Sequence, residues 1–414
     1  MSETTADPRS AVAPEPRRRR GHGSGAHTET APRQTHVTAL DGLRGLAVLG
    51  VVLFHTGQLP FGWLGVPMFF ALSGHFITRT LLGHQELTRA ERARNFFRNR
   101  LLRLAPLYFL FVAVLTVLAA VGYGDGTITR DLPYLWTWTW NLSAMGHGFQ
   151  SSPLVLYAHL WSLGVEVQLY VVWALLALFL PRRWFVRAVI ALALAGPLLR
   201  WGLWLFLEAT GYPVEALQPM VVYSSPVSYL DVFAIGACTA LPEVRRRLTG
   251  VARAAVALFA VVTVVEVVRG FAAGSGFRRD LGYPIIFAEH YDWVWKYSVT
   301  ALFFGALVHF AGREGRWQRM LSARPLARIG LISYGIYLVH VPLLGRLLEV
   351  HHTTPSGWTP ADLGIAALTV VGAYLLAELS YRFVETPFLR LKKGSLAQHI
   401  TAGPDRPATS VGSL

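Results

Sequence analysis

ALDGLRGLAVLGVVLFHTGQL, residues 39–59, is an apolar run of membrane length that carries one arginine, Arg44, and one histidine, His55. A bilayer core about 30 Å thick is crossed by a helix of roughly 20 apolar residues. His55 lies eleven residues after Arg44. At 3.6 residues per turn that is close to three turns, so both share one helix face about 16 Å apart along the axis. Ionisable groups inside a span are costly and usually functional. The structural alternative is a snorkelling arginine and a core histidine satisfied by a neighbouring group. Asp41, one turn before Arg44, is placed to orient the guanidinium or to cap the helix.

Similar stretches recur at 62–82, 104–122, 159–180, 184–207, 226–241, 251–268, 293–311, 328–348 and 361–383, making ten candidate spans with the first. The weakest is 226–241, which is short and holds Asp231. The aromatic stretch LPYLWTWTWNLSAM at 132–145 reads as interfacial or re-entrant, with an eleventh span as the alternative. With 53% hydrophobic and 15% charged residues, the 414-residue chain has too little charge to coat several soluble globules. The expected fold is therefore all-α, a polytopic transmembrane bundle of about ten helices. Residues 1–36 read as a disordered basic cytoplasmic tail without a cleavable signal, 37–392 as the transmembrane domain, and 393–414 as a second disordered cytoplasmic tail.

Loop charge sets the orientation. The segments 83–103, 181–187, 242–253 and 312–328 hold eighteen arginines, against four on the opposite side (Arg130, Arg269, Arg278, Arg279). This positive-inside bias predicts that both termini are cytoplasmic. It also accounts for the net charge of +14 as a topology signal, so no nucleic-acid partner is expected. Only three of the 38 basic residues are lysines. With heavy use of Ala, Gly and Val, this composition suggests a GC-rich bacterial genome and a place in the bacterial cytoplasmic membrane. A single cysteine, Cys238, excludes an intrachain disulfide framework. The absence of a clear internal repeat disfavours inverted-repeat transporter folds.

Depth follows from the rise of 1.5 Å per residue. His55 falls about 6–10 Å from the outer end of its span, Glu166 about 10 Å in, Asp231 about 8 Å in, and His340 about 18 Å from the inner end of its span. These four groups are expected in one outer-half layer, with Tyr334 and Tyr337 preceding His340 at helical spacing. An imidazole suits a base working near neutrality. Arg100 and Arg103, at the cytosolic start of the third span, suit phosphates, with positive-inside anchoring as the alternative. For Glu166, His340, Asp231 and Tyr337 the structural reading is a hydrogen bond between helices. Glu378 and Arg382 are spaced as a local pair. His75, His84 and His147 lack ligand spacing, so no metal is expected.

Further motifs extend this reading. They are Gly62–Leu82 (GWLGVPMFFALSGHFITRTLL), Arg100-Leu-Leu-Arg103-Leu-Ala-Pro106-Leu-Tyr108, His159-Leu-Trp161-Ser162-Leu-Gly-Val-Glu166, Ser333-Tyr-Gly-Ile-Tyr337-Leu-Val-His340 and Tyr381-Arg-Phe-Val-Glu385-Thr-Pro387. Together and in this order, across residues 38–392, they strongly resemble acyltransferase family 3, the integral-membrane, acyl-CoA-dependent O-acyltransferases. By position, the family's Arg-x10-His motif falls on Arg44 and His55, and its Arg-x-x-Arg motif on Arg100 and Arg103.

The resemblance implies transfer of a short acyl group, acetyl by default, from cytosolic acyl-CoA to a hydroxyl of a sugar-containing acceptor. That acceptor would be an envelope glycan or glycolipid, or a glycosylated secondary metabolite such as a macrolide. Under this reading His55 is the general base, Glu166 orients or charges it, and Arg44, Arg100 and Arg103 hold the donor. Asp231, Tyr337, His340, Trp161 and Ser162 would bind the acceptor, aided by the outer segments 122–158 and 269–292. An acyl-His55 intermediate is the covalent alternative. The sequence departs from the family pattern at Val167, at His75, and before Asp231, where an expected arginine is absent and Ser228 stands nearby. These departures bear on the acceptor pocket, not on the reaction class. The competing class is a transporter or flippase that uses the same intramembrane groups as a path.

Overall fold

The computed structural model describes residues 38–391, except 84–85, 124–125, 148–155, 213, 275–276, 278, 286–290 and 352–357. The two tails expected at 1–36 and 393–414 lie outside the described residues, as do His84 and the side chain of His147.

The described chain is helical throughout, with no strand. Its helices are α1 (Thr38–His55), α2 (Gly65–Leu82), α3 (Arg89–Ala120), α4 (Thr127–Trp136), α5 (Trp140–His147), α6 (Trp161–Phe179), α7 (Arg182–Ala209) and α8 (Val214–Ser224). There follow α9 (Leu230–Cys238), α10 (Pro242–Arg245), α11 (Leu248–Ala272), α12 (Asp292–Ala311), α13 (Arg316–Leu321), α14 (Arg324–Leu331), α15 (Ser333–His351) and α16 (Pro360–Ser380), the last continuing through a π-turn at Tyr381–Glu385. Helix starts follow local chemistry. Thr88 and Glu91 form a reciprocal capping box on α3, and Thr359 and Asp362 form one on α16, with Pro360 at its first position.

Seven of these helices are long and apolar enough to cross a membrane, and two bent pairs raise the number to nine. The chain is a multi-pass membrane protein. The expected count of ten differs from this for identifiable reasons. The stretch 62–82 forms the 18-residue α2, which is not among the seven; His75 and Arg79 dilute its apolar character. The stretch 226–241 joins the end of α8 across a 55° bend, and 328–348 is broken by 73° between α14 and α15. At the second break the freed carbonyl of Leu331 accepts a bond from Arg103 Nη2 at 3.0 Å, which satisfies a group that lipid could not. The aromatic stretch 132–145 becomes parts of α4 and α5. At 10 and 8 residues these run only about 15 and 12 Å, so neither spans the bilayer.

Burial separates the helices into an interior and a rim. In α1, in Ala158–Phe179 and in α12, 56%, 56% and 61% of the apolar window is buried, against 17% in α7 and α11. Arg44, His55 and Glu166 thus sit on interior helices, whereas α3, which carries Arg100 and Arg103, has only 22% of its window buried. Backbones approach closely where glycine removes the side chain, as membrane helix pairs commonly do. A Cβ on Gly74 of α2 would lie 2.0 Å from the Phe233 carbonyl of α9, and one on Gly330 of α14 only 1.7 Å from the Asp41 carbonyl of α1. Gly330→Ala is therefore expected to force α1 and α14 apart and to destabilise the bundle by about 1–3 kcal/mol. A thermal transition in detergent should fall for this variant. It should stay in place for Gly202→Ala, whose methyl meets nothing within 4 Å.

The four basic segments gather at one face. Arg182 binds Glu243 in a two-pronged ion pair at 2.8 and 2.9 Å, and its hydrogen bonds hold the Glu243 carboxyl below the ordinary carboxylate value. Arg245 donates to Gly312 O at 3.4 Å, Arg98 to Leu391 O at 3.2 Å, and Gly42 at the start of α1 abuts Leu321. Both ends of the described chain thus lie at the face that carries the arginines.

Candidate active site

The unbroken helix α1 keeps Arg44 and His55 on one face, about 16 Å apart. At the far end of α1, His55 meets His340 of α15, with Nδ1 of His55 3.3 Å from Nε2 of His340. Neighbouring carbonyls assign the protons, because a carbonyl can only accept. His340 Nδ1 lies 2.7 Å from Tyr337 O, so it carries hydrogen and leaves Nε2 as an acceptor. His55 Nδ1 lies 2.9 Å from Val51 O, so it is protonated and shared between that carbonyl and His340. The remaining nitrogen of neutral His55, Nε2, carries the lone pair a base needs.

A third imidazole, His159, packs on His340 with ring centres 5.1 Å apart. Its backbone carbonyl accepts the Tyr337 hydroxyl at 2.8 Å, and Ser162 and Tyr337 share a hydroxyl pair at 2.6 Å. His55, His340, Tyr337 and Ser162 are thus brought together as one cluster, with His159 added. The segment Tyr157–Leu160 is fixed by Tyr157, whose hydroxyl reaches buried Asp131 at 2.9 Å, and by Trp140, which donates to Ala158 O.

Glu166 is placed elsewhere. It accepts from the hydroxyls of Ser73, at 2.5 Å, and of Tyr170, and not from His55. It lies in electrostatic range of Arg44, which also pairs with Asp41 at 3.5 Å and feels Arg103. The expected Glu166–His55 pairing is replaced by a place one turn deeper on α6, on the arginine side of the layer. Arg103 pairs with buried Glu385 at 3.6 Å. Arg100 lies over the rings of Phe96 and Tyr170 and forms no ion pair among the described residues.

A polar stripe connects the two clusters. On α6 and the turn before it, Tyr170, Glu166, Ser162 and His159 follow at steps of four, four and three residues. That is a single face covering about 16 Å, the length that separates Arg44 from His55. Tyr334, Tyr337 and His340 form a shorter parallel stripe on α15, which starts beside Arg103 where the Tyr334 hydroxyl meets Leu104 O at 2.7 Å. Three interior helices therefore carry polar groups from a guanidinium cluster at one end to an imidazole cluster at the other. The arrangement suits moving an activated group between the two clusters.

The family model for the acyltransferase domain matches residues 37–378, most of the chain. The chain belongs to acyltransferase family 3. Among relatives, the peptidoglycan O-acetyltransferase OatA of Listeria monocytogenes is 28% identical over 85% of this chain and 56% of its own length. The O-acetyltransferase OatA of Staphylococcus aureus is 26% identical over 88% and 61%. A Komagataeibacter xylinus protein named "Putative membrane-bound transacylase BcsY" is 31% identical over 73% of this chain and 72% of its own. The chain thus spans about six tenths of the two OatA relatives. No solved structure matches it.

Where this acyltransferase departs from its family's pattern, other helices compensate. Asp231, with no arginine just before it in sequence, pairs with one from α7. Arg200, wholly buried, grips Asp231 at 3.0 and 2.9 Å and donates to Ser228 O at 2.7 Å and Val294 O at 3.0 Å. Ser298 completes the shell at 2.5 Å, and Gly196 leaves room, since a Cβ there would lie 1.9 Å from Asp231 Oδ2. Asp231, expected in the acceptor layer, is thus half of a buried ion pair tying α7, α9 and α12. His75 is absorbed in the same way, with its Nδ1 2.7 Å from the Thr239 hydroxyl beyond α9. Trp161 packs at a tilt on Tyr223, ring centres 4.4 Å apart, and on Tyr229, within an aromatic core. Two residues given no role from the sequence emerge here. Arg200 had a usable signal as an arginine in mid-span, and His159 had one as part of its motif.

Proposed function

We propose that this acyltransferase moves a short acyl group, acetyl by default, from cytosolic acyl-CoA to a hydroxyl of a sugar-containing acceptor at the outer membrane face. The observation that carries the reading is His55. Its Nε2 has no hydrogen bond among the described residues and its Nδ1–H is shared by Val51 O and His340, at the end of a polar stripe that begins among Arg44, Arg100 and Arg103. His55 Nε2 takes the proton as the hydroxyl oxygen attacks the thioester carbonyl. The carbon–sulfur bond then breaks, and the proton passes to the leaving thiolate, giving the ester and free CoA. His340 fixes the His55 tautomer and shares the charge of the transient imidazolium, the part first expected of Glu166. The OatA relatives' names favour an envelope glycan over a glycosylated metabolite as acceptor.

Orientation belongs to the same proposal. Both ends of the described chain at the arginine face require an even number of crossings. The nine spans together with α2 make ten, and the positive-inside rule puts that face and both termini in the cytoplasm of a bacterial inner membrane.

Purified protein given radiolabelled acetyl-CoA and glycan fragments tests the reading. Acceptor-dependent formation of a labelled ester with stoichiometric thiol release supports it, and glycan uptake or binding without ester formation contradicts it. The donor contacts have their own signature. Arg100→Ala, which breaks no ion pair among the described residues, is expected to raise KM for acetyl-CoA about 10- to 100-fold, the worth of one charge-assisted hydrogen bond. The same variant should leave turnover of the phosphate-free thioester S-acetyl-N-acetylcysteamine near wild type.

A further inference from the structure

One imidazole of the layer takes no part in the transfer step. His159 is buried. Its Nε2 lies 3.2 Å from the Leu338 carbonyl and so carries the proton, which leaves Nδ1 with the lone pair in the neutral ring. That nitrogen is buried and has no hydrogen-bond partner among the described residues. Buried polar atoms without a partner are uncommon and call for an explanation. The surroundings argue against a loosely placed ring. The His159 carbonyl accepts from the Tyr337 hydroxyl at 2.8 Å, and Ser162 donates to the Tyr337 oxygen at 2.6 Å. The ring packs edge-on against Tyr337 at 5.3 Å and His340 at 5.1 Å. His340 also touches His55, with ring centres 5.0 Å apart. Two imidazoles flanking a third thus each hold an unshared ring nitrogen, Nε2 on His55 and Nδ1 on His159, in one layer.

We infer that His159 Nδ1 accepts a hydrogen bond from a second hydroxyl of the acceptor, beside the hydroxyl that reacts at His55. This rests on the proposed acyl transfer and adds the feature that selects the substrate. The acceptor class becomes a sugar with at least two free hydroxyls on one face, one acylated and one held. A simple alcohol fills only half of the site and leaves Nδ1 unpaired. A site built to hydrogen-bond a hydroxyl discriminates strongly against the analogue that lacks it. His159 is accordingly a specificity-determining residue that binds the acceptor without exchanging a proton with the reacting oxygen.

The test uses the full chain in detergent, acetyl-CoA as donor, and methyl β-D-glucopyranoside with its four monodeoxy analogues as acceptors. Wild type, His159→Ala and His159→Asn are compared. The analogue lacking the reacting hydroxyl gives no product with any of them. Wild type is expected to lose about 10- to 100-fold in kcat/KM on one other analogue, mostly through KM. His159→Ala should lose a similar factor on the parent sugar and no longer separate the parent from that analogue. His159→Asn, which can present an amide oxygen near the Nδ1 position, should recover part of the discrimination. The Asn variant also carries the comparison if the Ala variant fails to accumulate. Undiminished discrimination by both variants, or none in wild type, overturns the assignment of His159 while transfer itself stands. Absence of acetyl transfer to any glycoside overturns the proposed function and this inference with it.

Discussion

His55→Ala is expected to lower acceptor-dependent acyl transfer by about two to four orders of magnitude, the usual contribution of a positioned general base. The protein should remain folded. His55 is the last residue of α1, only partly buried, and its interactions are a carbonyl of its own helix and His340. The measurement is initial-rate thiol release from acetyl-CoA with and without glycan, alongside a thermal transition. Retained turnover with an unchanged transition would remove His55 from the chemistry. His340→Ala should show a smaller loss with a changed pH profile, because it leaves the base in place but frees its tautomer.

Arg200→Ala is expected to be the most damaging change outside the imidazole layer. It strips the cation from a carboxylate with no solvent exposure, and breaking such a pair from one side costs about 3–5 kcal/mol. The variant should fail to accumulate in membranes. The paired replacement Arg200→Met with Asp231→Leu should recover much of the expression, since apolar groups of similar volume often substitute for a buried ion pair at little loss. It should also retain acyl transfer. A folded double variant that cannot acylate a glycan would return Asp231 to the acceptor site.

The membrane bundle was legible because apolar length and loop charge are one-dimensional signals. Arg44 and His55 were legible because they lie on a single helix, whose pitch fixes their relation. What counting residues could not supply was exact depth and partner. Glu166 and His55 fall at similar depth when counted from loop ends, yet Glu166 lies one turn beyond Ser162 on the same face of α6, bonded to Ser73 and in electrostatic range of Arg44. Asp231 was assigned to the acceptor by depth and resemblance, and neither could show its partner Arg200, 31 residues earlier on a helix read only as apolar. The break at α8–α9 falls at Ser225-Pro226 and that at α14–α15 just after Gly330, signals that do not tell a bend within one span from its end. At the second, the freed Leu331 carbonyl is held by the distant Arg103.

The central claim is the division between a donor end at the arginines and an acceptor end at the imidazoles. It is tested most directly in sealed proteoliposomes with acetyl-CoA on one side only and a membrane-impermeant glycan fragment on the other only. The account predicts acetyl ester on the glycan and free CoA in the donor compartment, for molecules whose Arg182–Glu243 face is turned toward the donor. Transfer that occurs only when donor and acceptor share a compartment would contradict it.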